Sequence, residues 1–103
     1  MKDLGKLMKQ AQQMQERLAE MQSRLAEKTV EVASGGGMVK VVMNGKHEVV
    51  SIKIDPEVVN PQDVEMLEDL VIAALNEARA RVDDMVRNEM SALTGGLPIP
   101  GLF

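Results

Sequence analysis

Apolar residues recur at Leu4, Leu7, Ala11, Met14, Leu18, Met21 and Leu25, in strictly alternating steps of three and four over three heptads. That spacing predicts an α-helix whose apolar side chains form one continuous seam. After Gly5 no Gly or Pro interrupts it, and Lys, Gln, Glu and Arg fill the positions between, all good helix formers. Asp3 stands where an N-cap is expected. A seam of this length needs a cover, from a second helix or a second subunit.

At Thr29 the period changes to two. Val30 and Val32 flank Glu31, and Ser34-Gly35-Gly36-Gly37 follows as a flexible break. Val39, Val41 and Met43 then alternate with Lys40, Val42 and Asn44, and Val50, Ile52 and Ile54 with Ser51 and Lys53. Asn44-Gly45 between these runs is a hairpin signal, extended through Lys46-His47. Three short antiparallel strands are predicted.

Asp55-Pro56 closes the strands, and Asn60-Pro61-Gln62-Asp63 reads as a helix start, with Asn60 as N-cap and Pro61 at the first helical position. Val64, Leu67, Leu70, Val71, Ala74, Leu75, Ala78, Val82 and Met85 then form a broad apolar face. Its small residues, Ala73, Ala74, Ala78 and Ala80, suit close approach of another helix. The helix is expected to end near Leu93, before Thr94-Gly95-Gly96. The expected fold is α+β: an α-β-β-β-α subunit with two long helices flanking a small antiparallel sheet. Residues 1–94 form one domain, and residues 95–103 a flexible tail containing Gly and Pro.

Helices of about 24 and 32 residues are roughly 36 and 48 Å long, whereas a compact chain of this size has a radius of gyration near 13 Å. The helices should therefore project beyond the sheet. Covering the seam, the broad helix face and the open sheet edges together predicts a homodimer. Its interface is assigned to the sheet and the second helix, with Val64, Leu67, Leu70, Val71, Ala74 and Ala78 as the helix's contacts.

The chain has no Cys, Trp or Tyr, and its one Phe is Phe103. Disulfide scaffolds, thiolate metal sites and thiol nucleophiles are excluded, and the 9 Met residues fill an aliphatic core. The first residues lack the apolar run of a signal peptide, and no run approaches the roughly 20 residues that span a bilayer. A cytoplasmic protein without membrane attachment is expected.

Little supports catalysis. His47, the one histidine, reads as a surface turn residue with no Cys or Tyr to assist it. Gly45-Lys46 fails as a phosphate loop, because Lys40 stands where the first Gly belongs and His47 where Ser or Thr belongs. Gly35-Gly36-Gly37 joins two strands rather than opening a helix. The acids from Asp55 to Asp69 lack calcium-loop spacing. No enzyme activity, metal, cofactor or small-molecule substrate is expected.

Charge is distributed unevenly. The formal net charge is -4, which by itself argues against an ordinary basic nucleic-acid-binding domain. Yet residues 1–28 carry six bases against four acids, and residues 55–103 three bases against ten acids. Near the start of the first helix, Lys2, Lys6 and Lys9 face only Asp3. On the second helix, Glu77 with Arg81 and Asp83 with Arg87 have the spacing of neutralising pairs.

Leu7-Met8-Lys9-Gln10-Ala11-Gln12-Gln13-Met14-Gln15 resembles the opening helix of the YbaB/EbfC family of bacterial nucleoid-associated DNA-binding proteins. Val39-Lys40-Val41 with Asn44-Gly45 is similar to its strands. Ile54-Asp55-Pro56, Glu65-Met66-Leu67-Glu68-Asp69-Leu70-Val71 and Ala73-Ala74-Leu75-Asn76-Glu77-Ala78 are similar to its most recognisable stretch, and Gly95-Gly96-Leu97-Pro98 to its tail. The resemblance implies a tweezer-shaped homodimer that binds duplex DNA in the nucleoid, with possible effects on transcription and chromosome organisation. On that reading Lys2, Lys6 and Lys9 contact phosphates, joined by Arg81 and Arg87 if the helices run antiparallel. Gln10, Gln12 and Gln13 are candidate groove contacts. The absence of aromatics disfavours single-strand and RNA recognition. The alternative is a protein-interaction module, a prefoldin-like holdase or coiled-coil adaptor, since paired helices and an exposed seam also suit that role.

Overall fold

In a computed structural model, residues 2–93 are described, with side chains for residues 3–92. Helix α1 spans Lys2–Glu27, strands β1, β2 and β3 span Thr29–Ser34, Val39–Asn44 and Val49–Ile54, and helix α2 spans Val64–Leu93. The expected α-β-β-β-α order is present. The side chain of Lys2 and the expected tail at 95–103 lie outside the described residues.

Both helix starts differ from expectation. α1 already includes Lys2, so Asp3 sits in the first turn and does not cap it. α2 begins at Val64, because Asn60-Pro61-Gln62-Asp63 closes into a turn. The Asp63 amide donates to the Asn60 carbonyl at 2.9 Å, and the Gln62 amide to Asn60 Oδ1 at 2.9 Å. Pro61 supplies the fixed φ that a turn favours. Asp63 Oδ1 accepts from the Met66 amide at 3.2 Å, so Asp63, not Asn60, is the N-cap.

The strands form an antiparallel sheet in the order β1-β2-β3. α2 packs across β1 and β2. Val32, Val39, Val41 and Met43 meet Ala74, Ala78 and Val82 there, and Val58 closes the core from the β3–α2 connection. The small alanines thus let α2 approach its own sheet. Ala74 is 1% and Ala78 0% exposed. Neither has surface to offer a second subunit, which corrects their assignment to a dimer interface.

Ser34 Oγ donates to the Leu70 carbonyl at 2.7 Å and anchors the sheet's glycine end to α2. Gly35, Gly36 and Gly37 all have positive φ, as the reversal from β1 into β2 requires.

Candidate nucleic-acid interface

α1 leaves the body of the molecule as a cantilever. Its C-terminal portion is braced: Met21 and Leu25 are buried with Met90, with Leu18, Met85 and Val86 packed around them. Every described side chain from residue 3 to 17 is exposed, a helical segment about 22 Å long. The principal extents, 73 × 21 × 16 Å, and a radius of gyration of 19.5 Å reflect this projection, since a compact chain would be near 13 Å.

The β2–β3 hairpin holds the base of the arm. The Gly45 amide donates to the carbonyls of Leu25 at 2.8 Å and Lys28 at 3.0 Å, satisfying two orphan acceptors at the end of α1. A Cβ on Gly45 would lie 2.5 Å from the Leu25 oxygen, so glycine serves close backbone approach here. The residue with positive φ in this turn is His47, at 61°. Asn44 is buried and fully engaged: Oδ1 accepts from the amides of Lys46 and Glu48, and Nδ2 donates to Glu48 Oε1.

His47 is more than a surface turn residue. Its Nε2 lies 2.7 Å from Asp83 Oδ1, tying the hairpin to α2. That contact removes Asp83 from the pair expected with Arg87, which instead meets Asp84 at 3.3 Å. Lys28 binds Glu89 across the base of the arm, with Arg24 4.0 Å from the other carboxylate oxygen. The hydrogen bond from Lys28 holds the Glu89 carboxyl below its ordinary pKa, with attraction from Lys28 and Arg24 adding to it and partial burial opposing it.

Lys6, Lys9, Gln10 and Gln13 all stand on the free segment of α1, where each is exposed. Among the described residues Lys6 and Lys9 make no ion pair, so their charge is available to a ligand. Arg81 is elsewhere. It donates to the Glu31 carbonyl at 3.3 Å and pairs with Glu77 at 3.0 Å, which places it against β1. Lys9 is separated from the braced end of α1 at Leu25 by about 24 Å of helix. Arg81 and the arm lysines therefore do not share one patch. Arg87 is nearer the arm's base but is engaged with Asp84.

A second surface lies on the β3 side. α2 packs chiefly on β1 and β2, leaving Ile52 43% and Ile54 38% exposed on the sheet's inner face. Ile54, Leu67, Val71 and Ile72, with Glu68, line an open apolar groove of about 400 Å³, and Val64 is exposed nearby. Alternation of Ile52 and Ile54 signalled an inward face, but only the placement of α2 reveals that it is left bare. Among the described residues no cluster could hold a metal ion, and no helix is long and apolar enough to cross a membrane.

Residues 1–97 match the model of the YbaB/EbfC DNA-binding family. A nucleoid-associated protein of Thermoanaerobacter pseudethanolicus is 55% identical over 98% of this chain and 91% of its own length. One from Paramagnetospirillum magneticum is 55% identical over 100% of this chain and 96% of its own. The crystal structure of the uncharacterized protein HP0035 from Helicobacter pylori superposes with a TM-score of 0.79 at 25% identity, covering 85% of this chain and 92% of that one. A match across nearly the whole sequence, on an α-β-β-β-α frame that extends a lysine-bearing arm, shows that this chain belongs to the YbaB/EbfC DNA-binding family, a family of DNA-binding proteins and not of enzymes.

Proposed function

We propose that this protein is nucleoid-associated and binds duplex DNA as a homodimer, through phosphate contacts from its α1 arms, and thereby influences chromosome organisation and transcription. The observation that carries the reading is the cantilevered arm: every described side chain from residue 3 to 17 is exposed, and among the described residues Lys6 and Lys9 make no ion pair. A helix held clear of an acidic body presents positive charge where the acids of α2 repel a polyanion least. Lys2 belongs to the same end of the arm by sequence, and Gln10 and Gln13 lie beside the lysines as candidate groove contacts.

The bare groove supports the homodimer. An unpaired strand edge at β3 and the apolar groove beside it form one continuous surface that a second copy can cover. A second copy using Val64, Leu67, Leu70, Val71, Ile54 and Ile72 would cover both. Two arms then act on one duplex, which multiplies weak contacts by effective concentration.

The exposed seam residues Leu4, Leu7 and Met14, 56%, 59% and 40% exposed, favour the second reading, a holdase or coiled-coil adaptor that grips partner proteins. Lys6→Glu with Lys9→Glu separates the two. Loss of duplex retention with the dimer intact supports DNA binding. Undiminished retention, together with protection of an unfolding client, supports the holdase.

A further inference from the structure

We propose that the outer face of the sheet is a second phosphate-binding surface, with Lys40 and Lys53 holding the DNA backbone. This rests on the DNA-binding reading above but concerns a different part of the molecule. Register places Lys40 directly opposite Lys53 across β2 and β3, with Ala33 opposite Lys40 on β1. The next row is Glu31, Val42 and Ser51. Together, Glu31, Lys40, Val42, Ser51 and Lys53 line a shallow depression of about 140 Å³. α2 packs on the opposite face of β1 and β2, where Val32, Val39 and Val41 are buried.

Directly opposed residues on antiparallel strands have Cβ atoms about 4.5–5.5 Å apart, where like charges are destabilising. Both lysines are exposed, and neither makes an ion pair among the described residues. A lysine on β3 alone would be explained as protection of an edge strand. Lys40 cannot be, because β2 is the central strand. Glu31 is diagonal to Lys40 on β1 and bonds neither lysine, so the two ammonium groups gain from an anion shared between them, and Ser51 adds a hydroxyl donor at the same place. Lys40 sits four residues along the sheet from the arm's base. Lys9 and the sheet lysines thus lie about 37 Å apart along the molecule, a separation that one duplex of roughly 11 base pairs spans.

The test compares the full chain with Lys40→Gln/Lys53→Gln and with Lys6→Gln/Lys9→Gln, by anisotropy of labelled duplexes of unrelated sequence over several salt concentrations. Removing one lysine–phosphate pair flattens the plot of log K against log salt by about 0.9. The sheet variant is expected to flatten it by about 1.8 for each subunit engaged. Its thermal stability should hold or rise, since repulsion is relieved. An unchanged slope in the sheet variant, with a flatter one in the arm variant, overturns the sheet site and leaves the arm reading standing. Absence of duplex binding by the unsubstituted protein overturns both. If the sheet substitutions abolish binding of polyglutamate and leave DNA binding unaffected, the face belongs to an acidic protein and the proposal is overturned. Should the variant fold poorly, NMR of the unsubstituted protein decides: duplex must shift the signals of Lys40, Ser51 and Lys53, and stationary signals overturn the site.

Discussion

At Gly45 and Glu89 single atoms decide how the arm is held. A methyl group on Gly45 would meet the Leu25 carbonyl oxygen at 2.5 Å, a backbone atom that cannot rotate away. Gly45→Ala is therefore expected to destabilise the fold by at least about 2 kcal/mol, within the usual range for forced overpacking, as urea denaturation would record. Glu89 has its carboxyl pKa depressed by the hydrogen bond from Lys28. A depressed carboxylate contributes stability that is complete above the ordinary value of about 4 to 4.5 and is lost as pH falls through the lower folded value. Thermal unfolding between pH 6 and 3 should show that loss, and Glu89→Gln should remove this component while lowering stability at pH 6. Sequence reading placed the hairpin at Asn44-Gly45 and missed these roles. Neither the approach of Gly45 to α1 nor the contact of His47 with Asp83 leaves a trace in local spacing, because each partner is distant along the chain.

The seven-residue pattern of α1 identified the helix but not the division of its seam. Leu18, Met21 and Leu25 are covered by the far end of α2, whereas Leu4, Leu7, Ala11 and Met14 are exposed, with no cover among the described residues. Leu25→Ala should cost about 2–5 kcal/mol by opening a cavity at the joint. Leu7→Ala should stay within about 0.5 kcal/mol, as for an exposed position. Equal losses from the two substitutions would mean that the outer seam is buried in the assembled protein. For α2, periodicity marked the apolar face correctly, and its alanines implied a close neighbour. That neighbour is the sheet and not another helix, since Val39 and Val41 lie fully buried beneath Ala74 and Ala78.

The whole molecule is an elongated lever, 73 Å along its greatest extent, with acids gathered in one half of the chain and unpaired lysines on a protruding arm. Net charge alone is a poor guide for such a shape, because the potential near the arm depends on local groups within a Debye length of about 8–10 Å. Ile54→Glu with Ile72→Glu places carboxylates in the bare groove. Sedimentation should then report monomers, while circular dichroism retains the helices, and duplex affinity should fall with the second arm. Dimers that persist in this variant would put the interface elsewhere.

Backbone periodicity, turn residues and the absence of cysteine and aromatic side chains determined the order of elements, the aliphatic core and the family resemblance, for these are local properties of the chain. Tertiary structure decided which apolar positions are used up inside the subunit, which remain bare, and which charges stay free. Ala78 and Ile72 belong to one helix, yet one is fully buried and the other 56% exposed, because α2 packs chiefly on two of the three strands. Lys9 and Arg81, both basic and helical, also differ by placement: one is exposed on the projecting part of α1, the other is bonded to β1. Such differences arise from where elements meet in space, through contacts between residues that are far apart along the chain.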